Sequence, residues 1–213
     1  MTDRIKVLIV DDHEVFAEGV GLIIESAPDM DPVGVAHTAG EGLRLAAERQ
    51  PDVVLLDHHL PDRSGAEITA ELNALPGNAA VVILTSDASE DVLLAAFEAG
   101  AAGYLLKTKA AKQVLEAIRH AASGETLINA STLARVLTRH REAAHPEDRP
   151  HLTDRELDAL KAMGEGLDTA QISDRLGVST ATTRTYVQTI LRKLDAHSRL
   201  QAVVRAKGYG LLK

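Results

Sequence analysis

The chain has no cysteine among its 213 residues. Disulfides and thiolate metal ligands are therefore excluded, and the composition suits a reducing compartment. Aromatic residues are scarce: three Tyr, two Phe and no Trp, 2% in all. A core must then be built from Ala, Leu, Val and Ile. No apolar run approaches the ~20 residues of a membrane-spanning helix, and no membrane partner is expected. Met1-Thr2-Asp3-Arg4 leads straight into an apolar segment and does not look like a signal peptide. A cytoplasmic protein is the expectation.

Hydrophobic residues make up 45% and charged residues 25%, ordinary values for a soluble globular protein long enough for two domains. The net charge of −8 conceals an asymmetry. Residues 1–124 hold 9 basic and 20 acidic side chains, whereas residues 177–213 hold 7 basic side chains against the single acid Asp195. An acidic first half with a basic end points to two domains, the second of which meets a polyanion.

Val53-Val54-Leu55-Leu56 reads as a strand buried on both faces, stopping abruptly at Asp57. Pro61 and Gly65 punctuate the loop after it and keep that loop from continuing as strand. Four further strands are predicted: Ile5–Val10 ending in Asp11-Asp12-His13, Val33–His37, Ala80–Leu84 ending at Thr85-Ser86, and Gly103–Leu106 ending at Lys107. Helical spacing of apolar residues falls between them, over roughly 14–27, 39–49, 65–75, 89–99 and 110–122. Strict alternation implies a parallel sheet with helices on both faces. In such a sheet the ends of the strands share one edge, where open α/β sheets place their ligands. Asp11, Asp12, Asp57, Thr85 and Lys107 therefore converge.

Clustered carboxylates repel one another and call for a hard cation, and Mg²⁺ takes a few carboxylates plus carbonyl and water oxygens. Asp12, Asp57 and the backbone carbonyl of His59 are the expected ligands, with Asp11 placing a water. Lys107 brings a second positive charge, and Thr85 can donate a hydrogen bond to a phosphoryl oxygen. A carboxylate flanked in this way can act as a nucleophile toward phosphorus.

These motifs, Asp11-Asp12, Asp57-x-x-x-Pro61-x-x-x-Gly65, Leu84-Thr85-Ser86 and Tyr104-Leu105-Leu106-Lys107-Thr108, resemble the receiver domain of two-component response regulators. The resemblance implies a flavodoxin-like fold over residues 1–124, with strand order 2-1-3-4-5. It also implies that Asp57 is the phosphoacceptor and that Thr85 and Tyr104 are a switch pair. His58 and His59 depart from the usual pattern. Together with His13 they suggest a cluster of imidazoles at the same edge, and His59 and Asp87 are candidates for tuning hydrolysis of an acyl phosphate.

Leu127–Glu142 reads as a helix leaving the first domain, and 143–150 as a polar, proline-bearing linker, so 125–150 is assigned as a connection. Residues 151–213 read as four helices. Thr153-x-x-Glu156, Asp168-x-x-Gln171 and Ser198-x-x-Gln201 have the form of capping boxes, and Gly177-Val178-Ser179 makes a tight turn. Two helices joined by a short Gly-containing turn form a helix-turn-helix, with 180–194 as the recognition helix. Val187, Ile190, Leu191 and Leu194 face inward. Thr182, Arg184, Thr185, Gln188, Arg192 and Lys193 face out and suit base edges and phosphates.

Residues 152–204 resemble the LuxR-type, or NarL/FixJ-type, DNA-binding domain. By that resemblance Arg184, Thr185 and Gln188 face bases, and Arg192 and Lys193 meet phosphates. Thr183 and Tyr186 replace a usual Val and His. Together these features describe a response regulator rather than an enzyme, in which phosphorylation of Asp57 controls transcription. Its expected partners are a histidine kinase, double-stranded DNA as a homodimer, and RNA polymerase. Two alternatives stand beside it. An aspartyl-phosphate phosphatase needs an acid two residues past its nucleophile, where this chain has His59. A phosphorylation-independent factor, its receiver serving for dimerisation or ligand sensing, leaves the complete set of acidic, hydroxyl and lysine residues unexplained.

Overall fold

The computed structural model describes residues 4–77, 79–87, 89–124 and 150–212. The helix expected over Leu127–Glu142 and most of the linker lie outside these. The chain divides into two compact units at Ser123 and Gly124. No helix among the described residues is long and apolar enough to cross a membrane.

The N-terminal unit carries β1 (Ile5–Val10), α1 (Glu14–Glu25), β2 (Met30–Ala36), α2 (Ala39–Arg49), β3 (Val53–Asp57), α3 (Gly65–Ala74), β4 (Ala80–Thr85), α4 (Glu90–Glu98), β5 (Gly103–Leu106) and α5 (Ala111–Ala122). All strand pairs are parallel, in the order β2-β1-β3-β4-β5. The two-residue period divides the core. Leu8, Val10, Val54, Leu56, Val81 and Ile83 pack with Ile68 and Leu72 of α3 and Ala39 and Ala46 of α2. Their alternates, such as Val7, Ile9, Leu55 and Val82, are buried on the face against which α1 and α5 pack. All five residues of β3 are buried. Each aliphatic side chain so enclosed is stabilised by about 2 kcal/mol relative to water, which makes β3 the axis of the sheet.

β2 begins at Met30, three residues before the expected Val33. The reason is Pro32, which as a rule argues against a strand interior. β2 is an edge strand, so the missing amide costs no ladder bond on its open side. A register shift between Val7 and Leu8 lets Pro32 and Gly34 pair while Val33 is passed over.

The C-terminal unit is helical: α6 (Asp154–Gly164), α7 (Thr169–Leu176), α8 (Thr180–Lys193) and α9 (Arg199–Gly208). Capping boxes are complete at Thr153/Glu156 and Asp168/Gln171. At α9 the box is half formed: Ser198 accepts from the Gln201 amide, while Gln201 Oε1 accepts from the His197 amide instead. Gly177 closes α7 in the left-handed region at φ 65°, as a C-terminal glycine does. Leu160, Ile172, Val187, Ile190 and Leu194 meet in one core.

Candidate phosphoryl-acceptor site and nucleic-acid interface

The parallel register brings the strand ends together. Leu56 pairs with Val10, Asp57 with Leu84, and Thr85 with Leu106. Asp11, Asp57 and Thr85 are consequently buried at one edge, while Asp12 is exposed. Lys107 Nζ bridges the two buried acids, 2.7 Å from Asp11 Oδ2 and 2.8 Å from Asp57 Oδ2. Asp11 Oδ1 accepts from the His13 amide at 2.9 Å, and Asp57 Oδ1 from the His59 amide at 3.3 Å.

Burial pushes the Asp57 carboxyl above its ordinary range, and the charge of Asp11 adds to this; the Lys107 hydrogen bond opposes both. Burial disfavours the Lys107 charge, but its bonds to Asp11 and Asp57 outweigh this and hold the ammonium above its usual range. The ionised Asp57 is thus worse off in the folded unit than in the unfolded chain. A raised folded pKa means that stability is lost as pH rises from the ordinary carboxylate range through the raised value. Asp57→Asn removes that penalty and leaves Lys107 paired with Asp11. It is expected to stabilise the N-terminal unit by about 1 kcal/mol at neutral pH, measured by urea unfolding. The gain should vanish as pH falls and the wild-type side chain takes up its proton; a loss of stability at neutral pH would contradict this balance.

Thr85 and Tyr104, the pair expected to switch, meet at one residue. Thr85 Oγ1 accepts from the Asp87 amide at 3.0 Å, and the Tyr104 hydroxyl donates to the Asp87 carbonyl. A threonine hydroxyl that accepts one bond still has its proton to donate. The Asp87 carboxylate accepts from the Ser89 amide at 2.7 Å, which holds it below its usual range. Ser89 occupies the N-cap position of α4 but makes no side-chain cap bond.

The histidines separate. His13 joins Asp11, Asp12 and Asp57 in a group whose ligand atoms lie within 4.8 Å of one another. His58 is buried, its Nδ1 without a hydrogen-bond partner among the described residues, and its ring meets that of His59 edge to face at 4.6 Å. Burial, then the neighbouring His59, lowers its pKa. The expectation of three imidazoles around one site is therefore corrected to one, because successive residues of the loop after β3 turn His58 into the interior.

Three supporting residues are not evident from sequence. His37 Nδ1 bonds the Asp11 carbonyl at 2.9 Å. Phe16 presents its ring 4.9 Å from Lys107 Nζ, a cation–π contact. Asp62 accepts from the amides of Ala39 and Gly40 and so fixes the start of α2. None of the three has a local sequence signal, since each partner lies far along the chain.

In the C-terminal unit α8 follows the turn at Gly177, with Ser179 capping it through the Thr182 amide. Val187, Ile190 and Leu194 are buried, and Leu191 and Tyr186 pack beside them. Arg184, Thr185, Gln188 and Arg192 are exposed, and their three- and four-residue spacing puts them on one face. Thr182 is half-buried, its hydroxyl 2.9 Å from Ser179 Oγ. Lys193 differs from expectation: its Nζ lies 2.7 Å from Glu156 Oε2, tying α8 to α6. Glu156 is buried, which alone would raise its pKa, but Lys193 and the Thr153 amide hold it below the usual range. Thr183 is fully buried and shares its hydroxyl with Ser173 at 2.9 Å. It belongs to the seam between α7 and α8, away from any base-reading face.

A doubly wound unit with a buried aspartate bridged by lysine, followed by a helix-turn-helix, is the architecture of a regulator that joins a receiver-type unit to a DNA-binding module. Residues 7–119 match the response regulator receiver domain, and residues 150–206 match the bacterial regulatory proteins of the luxR family. The chain belongs to the response regulators that join a receiver to a LuxR-type DNA-binding domain. It is 37% identical to the transcriptional regulatory protein LiaR of Bacillus subtilis, covering 95% of this chain and 96% of that one. It is 33% identical to the nitrate/nitrite response regulator protein NarL of Escherichia coli, over 93% of both. Among solved structures, the response regulator ChrA of a heme-sensing two-component system aligns with a TM-score of 0.52 and 29% identity over 98% of both chains. A LuxR-family response regulator from Aurantimonas aligns with a TM-score of 0.58 and 31% identity, over 66% of this chain and all of that one.

Proposed function

We propose that the protein is a cytoplasmic transcription factor switched by phosphorylation of Asp57. The domains would be the receiver at 1–124, a connection at 125–150 and the DNA-binding domain at 151–213. The observation that carries this reading is Asp57 itself: a buried carboxylate held 2.8 Å from Lys107 and grouped with Asp11 and the exposed Asp12.

The donor is the phosphohistidine of a partner kinase. An Asp57 carboxylate oxygen forms the new P–O bond, the P–N bond breaks, and the leaving imidazole nitrogen takes a proton from water. The donor set fits Mg²⁺, since hard carboxylate oxygens converge on one point. Asp12, Asp57 and the His59 carbonyl would hold the ion, with Asp11 placing a water, and it would neutralise charge on the incoming phosphoryl group. Lys107 already stands against Asp57 and supplies the second positive charge. Thr85 donates its free hydroxyl proton to a phosphoryl oxygen. Because Thr85 and Tyr104 both hold Asp87, drawing Thr85 inward pulls on the loop that anchors Tyr104. That movement changes the face formed by α4, β5 and α5.

On DNA, two copies would place their recognition helices in successive major grooves. Arg184, Thr185 and Gln188 read bases, Thr182 and Arg192 meet the backbone, and Lys193 reaches phosphate only by sharing its charge with Glu156. RNA polymerase is a further partner.

Acetyl phosphate with Mg²⁺ tests the first step. A phosphate label that is lost on treatment with hydroxylamine, and is absent from Asp57→Asn, is the expected result. An unlabelled wild-type chain would sink the phosphoacceptor assignment.

A further inference from the structure

The phosphoryl chemistry and the DNA contacts proposed above do not use His13. It sits between the paired acids and α1, as the N-cap residue of that helix, yet it makes no side-chain cap bond there. Its ring is turned to the acids instead. Nδ1 lies 2.7 Å from Asp12 Oδ1, 3.4 Å from Asp11 Oδ1 and 3.9 Å from Asp57 Oδ2. The side chain is 68% exposed, so its place beside the carboxylates is not imposed by burial.

We propose that His13 is an additional cation ligand that sets which divalent metals the phosphoryl site accepts. This rests on Mg²⁺ binding at Asp12 and Asp57 and extends it. Two ligand atoms on one octahedral ion with bonds of about 2.1 Å lie about 3.0 Å apart when adjacent and about 4.2 Å apart when opposite. The separations from Nδ1 to the three carboxylates, 2.7 to 3.9 Å, fall close to or within that span. The ligand atoms of all four residues lie within 4.8 Å of one another, so one cation can be reached by Nδ1 and the carboxylates once these side chains draw together around it. Chemistry then separates the candidates. Mg²⁺ prefers oxygen and gains little from imidazole, whereas Mn²⁺ and, more strongly, Co²⁺ gain from it. With carboxylates alone the site would discriminate weakly among them; with His13 it leans toward the transition metals.

The test uses the full chain, with MgCl₂ and CoCl₂ binding followed by calorimetry and Mn²⁺ ligation by pulsed electron paramagnetic resonance. In His13→Ala, Co²⁺ affinity should fall roughly tenfold, the scale of loss when a group supporting a metal site is removed. Mg²⁺ affinity should stay about the same, and a nitrogen hyperfine coupling present on wild-type Mn²⁺ should disappear. Equal loss for both cations would mean that His13 only orients Asp12, and an unchanged coupling would mean that it is no ligand; either overturns the proposal. Asp12→Asn, run alongside, separates the two levels. If wild type and Asp12→Asn bind Mg²⁺ equally or not at all, the Mg²⁺ site itself fails and His13 falls with it. If Asp12→Asn weakens both cations and His13→Ala neither, only the His13 proposal fails.

Discussion

Gly65→Ala is expected to cost the receiver about 2–3 kcal/mol, the range for forcing an atom into packed surroundings. A methyl placed on Gly65 would stand 2.5 Å from the Asp57 carbonyl oxygen and 2.9 Å from His58 Cα. Both are backbone, and neither can swing aside. The contact is close because the Gly65 amide donates to the His58 carbonyl at 2.8 Å, which draws the start of α3 onto the end of β3. Relief requires moving the loop that carries Asp57, so phosphorylation by acetyl phosphate should slow in the same variant. Gly19 in α1 is the control, with nothing within 4 Å of an added methyl. There the substitution should stabilise by about 0.5–1 kcal/mol through helix propensity and unfolded-chain entropy. Urea unfolding of both variants is the measurement. A neutral Gly65→Ala would mean that the loop yields cheaply and that the glycine has no steric role.

Arg184→Ala should weaken binding to a specific site by about 1–3 kcal/mol and relax the preference at the base it faces. Arg184 is exposed in the second turn of α8, beside Thr185 and one turn before Gln188. Arg192→Ala lies two turns on, at the end of α8, and should act differently. It should lower affinity almost equally across sequences and reduce the salt slope by about 1. Lys193→Ala should differ from both, since it leaves Glu156 buried without its partner 2.7 Å away. Its main effect is expected on stability of the C-terminal unit, about 1–2 kcal/mol, since Lys193 is part-exposed and the Thr153 amide still bonds Glu156. Fluorescence anisotropy on matched and scrambled duplexes over a salt series distinguishes the three. Identical salt slopes and an equal loss on both duplexes for Arg184→Ala would assign that side chain to phosphate.

The residues of the receiver site are legible in sequence because β1, β3, β4 and the edge strand β5 are short, mostly apolar runs that each stop at a reactive side chain. Asp11, Asp57, Thr85 and Lys107 mark those ends without help from any distant contact. β2 is less legible: Pro32 and Gly34 disguise its start, and only an edge position with a register shift makes the strand workable. The supporting groups are invisible for a different reason. His37, 26 residues from Asp11, is placed by the crossover through α1, and the ring of Phe16 meets Lys107 only once the sheet has closed. In the second domain the helix caps are local and read directly, apart from Gln201, which bonds the His197 amide. The roles of Lys193 and Thr183 are not, because helical spacing cannot tell an outward cation from one that turns back to an acid on another helix. Nor can it tell a base-facing hydroxyl from one paired with Ser173.

DNA affinity at fixed salt, with and without beryllofluoride and Mg²⁺, tests the phosphorylation switch most directly. Wild type and Asp57→Ala are compared on fragments selected by a genomic binding screen. A rise in affinity or in dimer formation with the phosphoryl mimic, absent in Asp57→Ala, is the predicted result. Constant DNA binding in the wild type, with no mimic taken up, would contradict it and leave the receiver as a phosphorylation-independent module.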